Sequence, residues 1–139
     1  MKRMAEQERA LYCLEFIKSY GDENKADQTK LATHIQKAPI RIIQNGLGQM
    51  LAFLLADNEG KRDERDKKAE PSYHLYCHIE KWLQGAGGRT QVIYNNEYEL
   101  IEQITRNSRQ DYMRAQEETL ALFNWLKKFA DAWLYKGGK

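Results

Sequence analysis

His74 and His78 are the side chains whose type and spacing come nearest to a reactive site in this sequence. Four residues apart on a helix, two imidazoles share one face and can grip the same metal ion. Cys77 adjoins them but projects about 100° away from His78, and nothing nearby in sequence supplies further donors. Two ligands do not close a site, so no metal is expected. There is no GxSxG, no Walker loop and no HExxH, and the GLG at Gly46 has neither the preceding strand nor the third glycine of a dinucleotide loop. His34 falls on the solvated side of its helix, and the carboxylates crowd onto charged faces with no pair set apart for acid–base work. These absences lead us to expect no catalytic residue, no cofactor and no small-molecule substrate.

Binding chemistry remains. The formal charge of +2, with 30% charged residues, is too small to hold nucleic acid by bulk attraction, so any such contact must come from a local patch. Cys13 and Cys77 lack CxxC spacing, which points to free thiols in a reducing cytoplasm rather than a disulfide framework. The start, MKRMAEQERA, is charged, and the most apolar window is interrupted by Arg41, Gln44, Asn45 and Gln49, so neither a signal peptide nor a membrane span is expected.

The stretch that must position any patch is Pro39 to Ala56, PIRIIQNGLGQMLAFLLA. At 100° per residue Ile40, Ile43, Leu47, Met50, Leu51 and Leu54 share a face, which Ile42, Phe53 and Leu55 widen; Pro39 suits the first turn. The spacing predicts a central helix from Pro39 to Ala56. Its narrow remaining strip reads Arg41, Asn45, Gly48, Gln49 and Ala52. Glycine inside a helix costs about 1 kcal/mol relative to Ala, so Gly46 and Gly48 imply a close approach. Two readings stand: tight packing inside the domain, or a docking strip for another chain or a nucleic-acid backbone.

Around it, a first amphipathic helix spans about Lys2 to Tyr20, and Asn24 with Asp27 opens a second that runs to about Lys37, turning Lys30, Thr33 and Lys37 outward with Arg41 one turn on. Asp57 to Ser72 interleaves acids and bases without an apolar face and reads as a solvated loop or frayed helix end. A fourth helix from Pro71 or Ser72 to about Gln84 turns Tyr73, Tyr76, Ile79, Trp82 and Leu83 inward, before a glycine-containing loop over 85–95. Asn96 with Glu99 is spaced to cap a short fifth helix carrying Tyr98, Ile101 and Ile104, and Ser108 with Asp111 to cap a long last one running to about Tyr135. The expected architecture is all-α: a single-domain bundle of about six helices over residues 1–139 with a long C-terminal helix.

On that last helix Tyr112, Ala115, Thr119, Leu122, Phe123, Leu126, Phe129, Ala130 and Trp133 form the inward arc. The opposite face carries Arg114, Ala121, Trp125, Lys128 and Ala132, with Lys127 on the rim. Trp125 either packs on a neighbouring helix or anchors a partner subunit.

NGLGQMLAFLLA, Asn45 to Ala56, and TLALFNWLKKFADAWL, Thr119 to Leu134, with KWL at Lys81 to Leu83 between them, cover about a fifth of the chain. In wording, order and separation these stretches resemble the small subunit of the type III-B CRISPR effector, the Cmr RNA-silencing complex. The resemblance implies an all-α, non-catalytic protein whose copies stack as an inner filament beside the backbone subunits and help hold the guide RNA–target RNA duplex, with the backbone subunit, the large subunit and further copies of itself as partners. Base pairing reads the sequence in such a complex, so the protein needs only shape and phosphate contacts.

Joined to the helical geometry, this makes Arg41, Asn45, Lys127 and Lys128 the leading candidates for the RNA backbone, followed by Lys30, Lys37 and Arg114. Gly46, Gly48, Ala121, Trp125 and Ala132 are candidates for subunit packing. Each cation alone is equally well read as a solvated surface side chain. Two other classes stay open: a free-standing helical DNA-binding regulator using the second and central helices, and a protein adaptor without nucleic-acid contact. The regulator is hard to reconcile with a central helix too apolar for a major groove.

Overall fold

A computed structural model describes residues 4–58, 69–85 and 92–136, and these form helices with no strand among them. In chain order they are α1 (Ala5–Tyr20), α2 (Lys25–Asn45), α3 (Leu47–Asp57), α4 (Pro71–Leu83), α5 (Leu100–Arg106) and α6 (Arg109–Trp133). The long α6 packs on α1 and α2, α2 packs also on α3 and α4, and α3 lies against α4 and α5.

The central element is organised differently from its sequence pattern. One helix runs from Lys25 to Asn45 with Pro39 inside it, and the break comes at Gly46. Proline withdraws one hydrogen-bond donor, leaving the Ile35 carbonyl without its helical partner. The loss is offset because Leu31, Ala32, Ile35, Ala38 and Ile42, all buried, form one apolar stripe that crosses Pro39. Gly46 adopts φ 91° and ψ 162°, a region closed in practice to any residue with a Cβ. A single helical register therefore does not extend from Ile40 to Leu54. Ile42 is buried, whereas Ile40 and Ile43, expected inward, are 57% and 74% exposed, and Phe53 is 39% exposed.

Two helices begin as expected: Asn24 Oδ1 accepts from the Asp27 amide at 2.8 Å, and Ser108 Oγ from the Asp111 amide at 3.1 Å. The other device is a cap supplied from a distance. Gln116 Oε1 accepts from the Leu47 amide at 3.0 Å and Tyr112 Oη from the Gly48 amide at 2.9 Å, so α6 satisfies two orphan donors of α3. Likewise Glu80 Oε2 and Tyr76 Oη of α4 accept from the Leu100 and Ile101 amides at 2.9 and 3.0 Å. That is why α5 starts at Leu100 rather than near Asn96, and Tyr98 lies outside it, exposed.

The inward arc of α6 holds for Ala115, Thr119, Leu122, Phe123, Leu126 and Ala130, and that of α4 for Tyr73, Tyr76, Ile79, Trp82 and Leu83. Trp133 departs from it: the ring is half exposed beneath Lys18 Nζ at 5.8 Å, and Leu134 takes the buried place. Arg9 forks onto Glu118 at 2.7 and 2.9 Å, and Trp82 Nε1 donates to the same carboxylate at 2.9 Å, tying α1, α6 and α4 together. Much of the charged segment and of the glycine-containing loop, 59–68 and 86–91, lies outside the described residues. The ends of the charged segment are not solvated, since Asn58, Ala69, Pro71 and Ser72 are buried and Asn58 Oδ1 accepts from the Glu70 amide at 3.0 Å.

Candidate functional site

The two histidines of α4 are engaged separately. His74 Nδ1 shares a hydrogen bond with Tyr20 Oη at 2.8 Å. His78 is buried with its ring stacked between Tyr12 and Phe16, each centroid 4.1 Å away, and burial pushes its pKa down to about 3. A neutral imidazole wedged between rings is a core group. Among the described residues no group of three or more His, Cys, Asp or Glu is placed to hold a metal ion, and no helix is long and apolar enough to cross a membrane.

The continuity of α2 through Pro39 decides where the cations go. At 100° per residue Lys30, Lys37 and Arg41 fall within about 40° of one another, spread along roughly 16 Å of one helix, and Asn45 follows about 40° beyond Arg41. Lys37 and Asn45 are exposed, and Lys37 makes no ion pair among the described residues. Lys30 Nζ stands 3.7 Å from Glu70, a loose surface pair.

Arg41 is fixed rather than free. Its guanidinium carbon lies 3.7 Å from the centroid of the Phe53 ring, and its buried Nη1 makes no hydrogen bond. The ring belongs to α3 and arrives there because the chain turns back at Gly46. His34, one turn before Lys37, is half-buried rather than a free surface side chain: Nε2 lies 3.2 Å from Asp57 Oδ2, and its ring meets Phe53 edge-on at 6.3 Å. Burial lowers its pKa, Asp57 opposes that shift, and Arg41 and Lys37 add to it. The site is thus a cationic stripe on α2 backed by Phe53 and Asp57 of α3. Sequence reasoning missed those two α3 residues and the partnered state of His34, because only the turn at Gly46 brings them opposite the stripe.

The remaining cationic candidates belong to α6, which packs on α2. Lys127 and Lys128 are exposed, and Lys128 Nζ sits 5.9 Å above the Trp125 ring. Arg114 is 3.7 Å from Asp111 on its own helix. Trp125 is half-buried, donates from Nε1 to Glu6 of α1 at 3.1 Å and stacks on Phe129 at 5.6 Å. Ala121 is half-buried and Ala132 exposed. The close approach permitted by Gly46 and Gly48 is made by the same chain: a Cβ on Gly46 would stand 2.7 Å from Tyr112 Oη, and one on Gly48 3.5 Å from the same oxygen.

The family model described as CRISPR-associated protein (Cas_Cmr5) matches residues 5–133, from the first residue of α1 to the last of α6, so the match includes every helix described. The chain belongs to the CRISPR-associated Cmr5 family and is a small subunit of the type III-B Cmr complex, working in partnership with that complex's other subunits.

Proposed function

We propose that this subunit carries no catalytic group and contributes sequence-independent phosphate contacts to the guide RNA–target RNA duplex, in the cytoplasm, while packing on the backbone subunits, the large subunit and further copies of itself. The observation that carries this reading is the stripe on α2, in which Lys30, Lys37 and Arg41 share one face and the Arg41 guanidinium carbon is held 3.7 Å from the centroid of the Phe53 ring. A guanidinium fixed by an aromatic ring loses less side-chain freedom on meeting a phosphate than a free one does. Asn45 adds an amide at the same end, and the exposed Lys127 and Lys128, with Arg114, give α6 a second, weaker set. Trp125, Ala121 and Ala132 are the side of α6 offered to a neighbouring copy. Gly46 supports this only indirectly, by setting the turn that brings Phe53 under Arg41, and Gly48 by letting α3 approach Tyr112.

Photocrosslinking of the assembled complex on 4-thiouridine-labelled target RNA tests the reading. Crosslinks in this chain are expected to map to α2 and to Phe53; a complex whose RNA crosslinks only to its other subunits would leave the chain a protein adaptor.

A further inference from the structure

On another pair of helices, α1 and α4 leave a groove of about 530 Å³ between them. One face of α1 lines it with Tyr12, Phe16 and Tyr20, and α4 meets them with His74 and His78. Rings bridge the two helices, through the His78 sandwich at one end and the Tyr20–His74 hydrogen bond at the other.

Two carboxylates, Glu15 and Glu23, stand on the wall of this groove, against one ammonium, Lys81. Among the described residues neither carboxylate makes an ion pair. Burial pushes the Tyr20 phenol up, and the carboxylates of Asp27, Glu23 and Glu70 push it further; of these Glu23 stands on the groove wall, while Glu70 is paired with Lys30. His78, only 6% exposed, keeps an Nε2 with no hydrogen-bond partner. That buried nitrogen, in the wall behind the groove, is a polar group the described residues do not satisfy.

We propose that the groove between α1 and α4 is a socket for an arginine side chain presented by a partner protein. The chemistry selects that occupant. Phosphate would meet two carboxylates that have no ion pair among the described residues, so nucleic acid is disfavoured here, whereas the α2 stripe favours it. Guanidinium is planar, weakly hydrated, stacks on aromatic rings and forks onto carboxylates, so it suits these walls better than the compact, strongly hydrated ammonium of lysine.

The test uses the full chain, isotope-labelled, titrated with the capped tripeptide acetyl-Gly-Arg-Gly-amide while the Tyr20, His74 and His78 resonances are followed. Saturable shifts are expected with this probe, weaker ones with the lysine peptide, and none with the citrulline peptide or with AMP. Glu15→Gln with Glu23→Gln, both at the surface and expected to leave the melting temperature unchanged, should weaken binding about tenfold. In the reconstituted complex the same double variant should release the subunit at lower salt than wild type while target RNA affinity of the retained complex is unaltered. No shifts with the arginine peptide, equal shifts with citrulline or AMP, or unchanged retention of the double variant overturns the assignment.

Discussion

The phenolic oxygen of Tyr112 on α6 accepts a hydrogen bond from the backbone amide of Gly48 on α3 at 2.9 Å. Because Gly46 has no side chain, the first turn of α3 depends on another helix for its cap. Tyr112→Phe keeps the ring and removes the acceptor, leaving a part-buried amide unpaired. The expected loss is about 1 to 2 kcal/mol, read from urea unfolding with far-ultraviolet circular dichroism nearly unchanged.

The two glycines of the NGLG turn should separate cleanly. At Gly46, φ of 91° and a Cβ 2.7 Å from Tyr112 Oη make Gly46→Ala costly, roughly 2 to 3 kcal/mol. Gly48 has ordinary spacing around its would-be Cβ, 3.5 to 3.7 Å, and lies in α3. Gly48→Ala should stay within about 1 kcal/mol of wild type. Equal effects in denaturant midpoints would contradict this account of the turn.

Arg9, Glu118 and Trp82 form a partly buried junction, with side-chain exposures of 19% for Arg9 and 13% for Glu118. The bond to Glu118 leads in holding the Arg9 guanidinium above its ordinary pKa. Glu118→Gln removes the less exposed of the two carboxylates on that guanidinium, leaving the exposed Glu6 at 2.8 Å, and should cost roughly 2 kcal/mol. Trp82→Phe, which removes one hydrogen bond to the same carboxylate, should cost less, and calorimetry would rank the two.

Burial lowers the pKa of His78 to about 3 from an ordinary value of 6.5. The folded chain therefore binds this proton less readily than the unfolded chain does. The stabilisation from the neutral imidazole is complete above about pH 6.5 and is lost as pH falls toward the folded value. Unfolding free energy should drop by about 2 kcal/mol between pH 7 and pH 5 from this group alone. His34, lowered in the same direction, adds to the slope. His78→Phe should flatten the profile over that range.

Much of the fold is legible in the sequence, and the exceptions share a cause. Amphipathic periodicity locates the helices, and the caps at Asn24 and Ser108 are local, three residues from their partners. The caps of α3 and α5 come from side chains 64 and 69, and 20 and 25, residues away, so nothing near Leu47 or Leu100 announces them. Pro39 reads as a helix start because its local cost is visible, whereas the buried stripe that outweighs it is a tertiary property. The same misplacement turns Ile40 and Ile43 inward and hides the pairing of His34 with Asp57 and of Arg41 with Phe53. The cations themselves are readable from helical spacing, but the ring and carboxylate set behind the α2 stripe are not.

The most direct measurement of the central claim is the salt dependence of target RNA binding by the reconstituted complex. Wild type is compared with Lys30→Ala, Lys37→Ala and Arg41→Ala combined, and with Lys127→Ala and Lys128→Ala combined. Every cation removed from a phosphate should reduce the magnitude of the slope of log affinity against log salt by about 0.7 to 0.9, with the larger total reduction for the α2 set. Unchanged slopes for both sets in fully assembled, normally melting complexes would contradict the account.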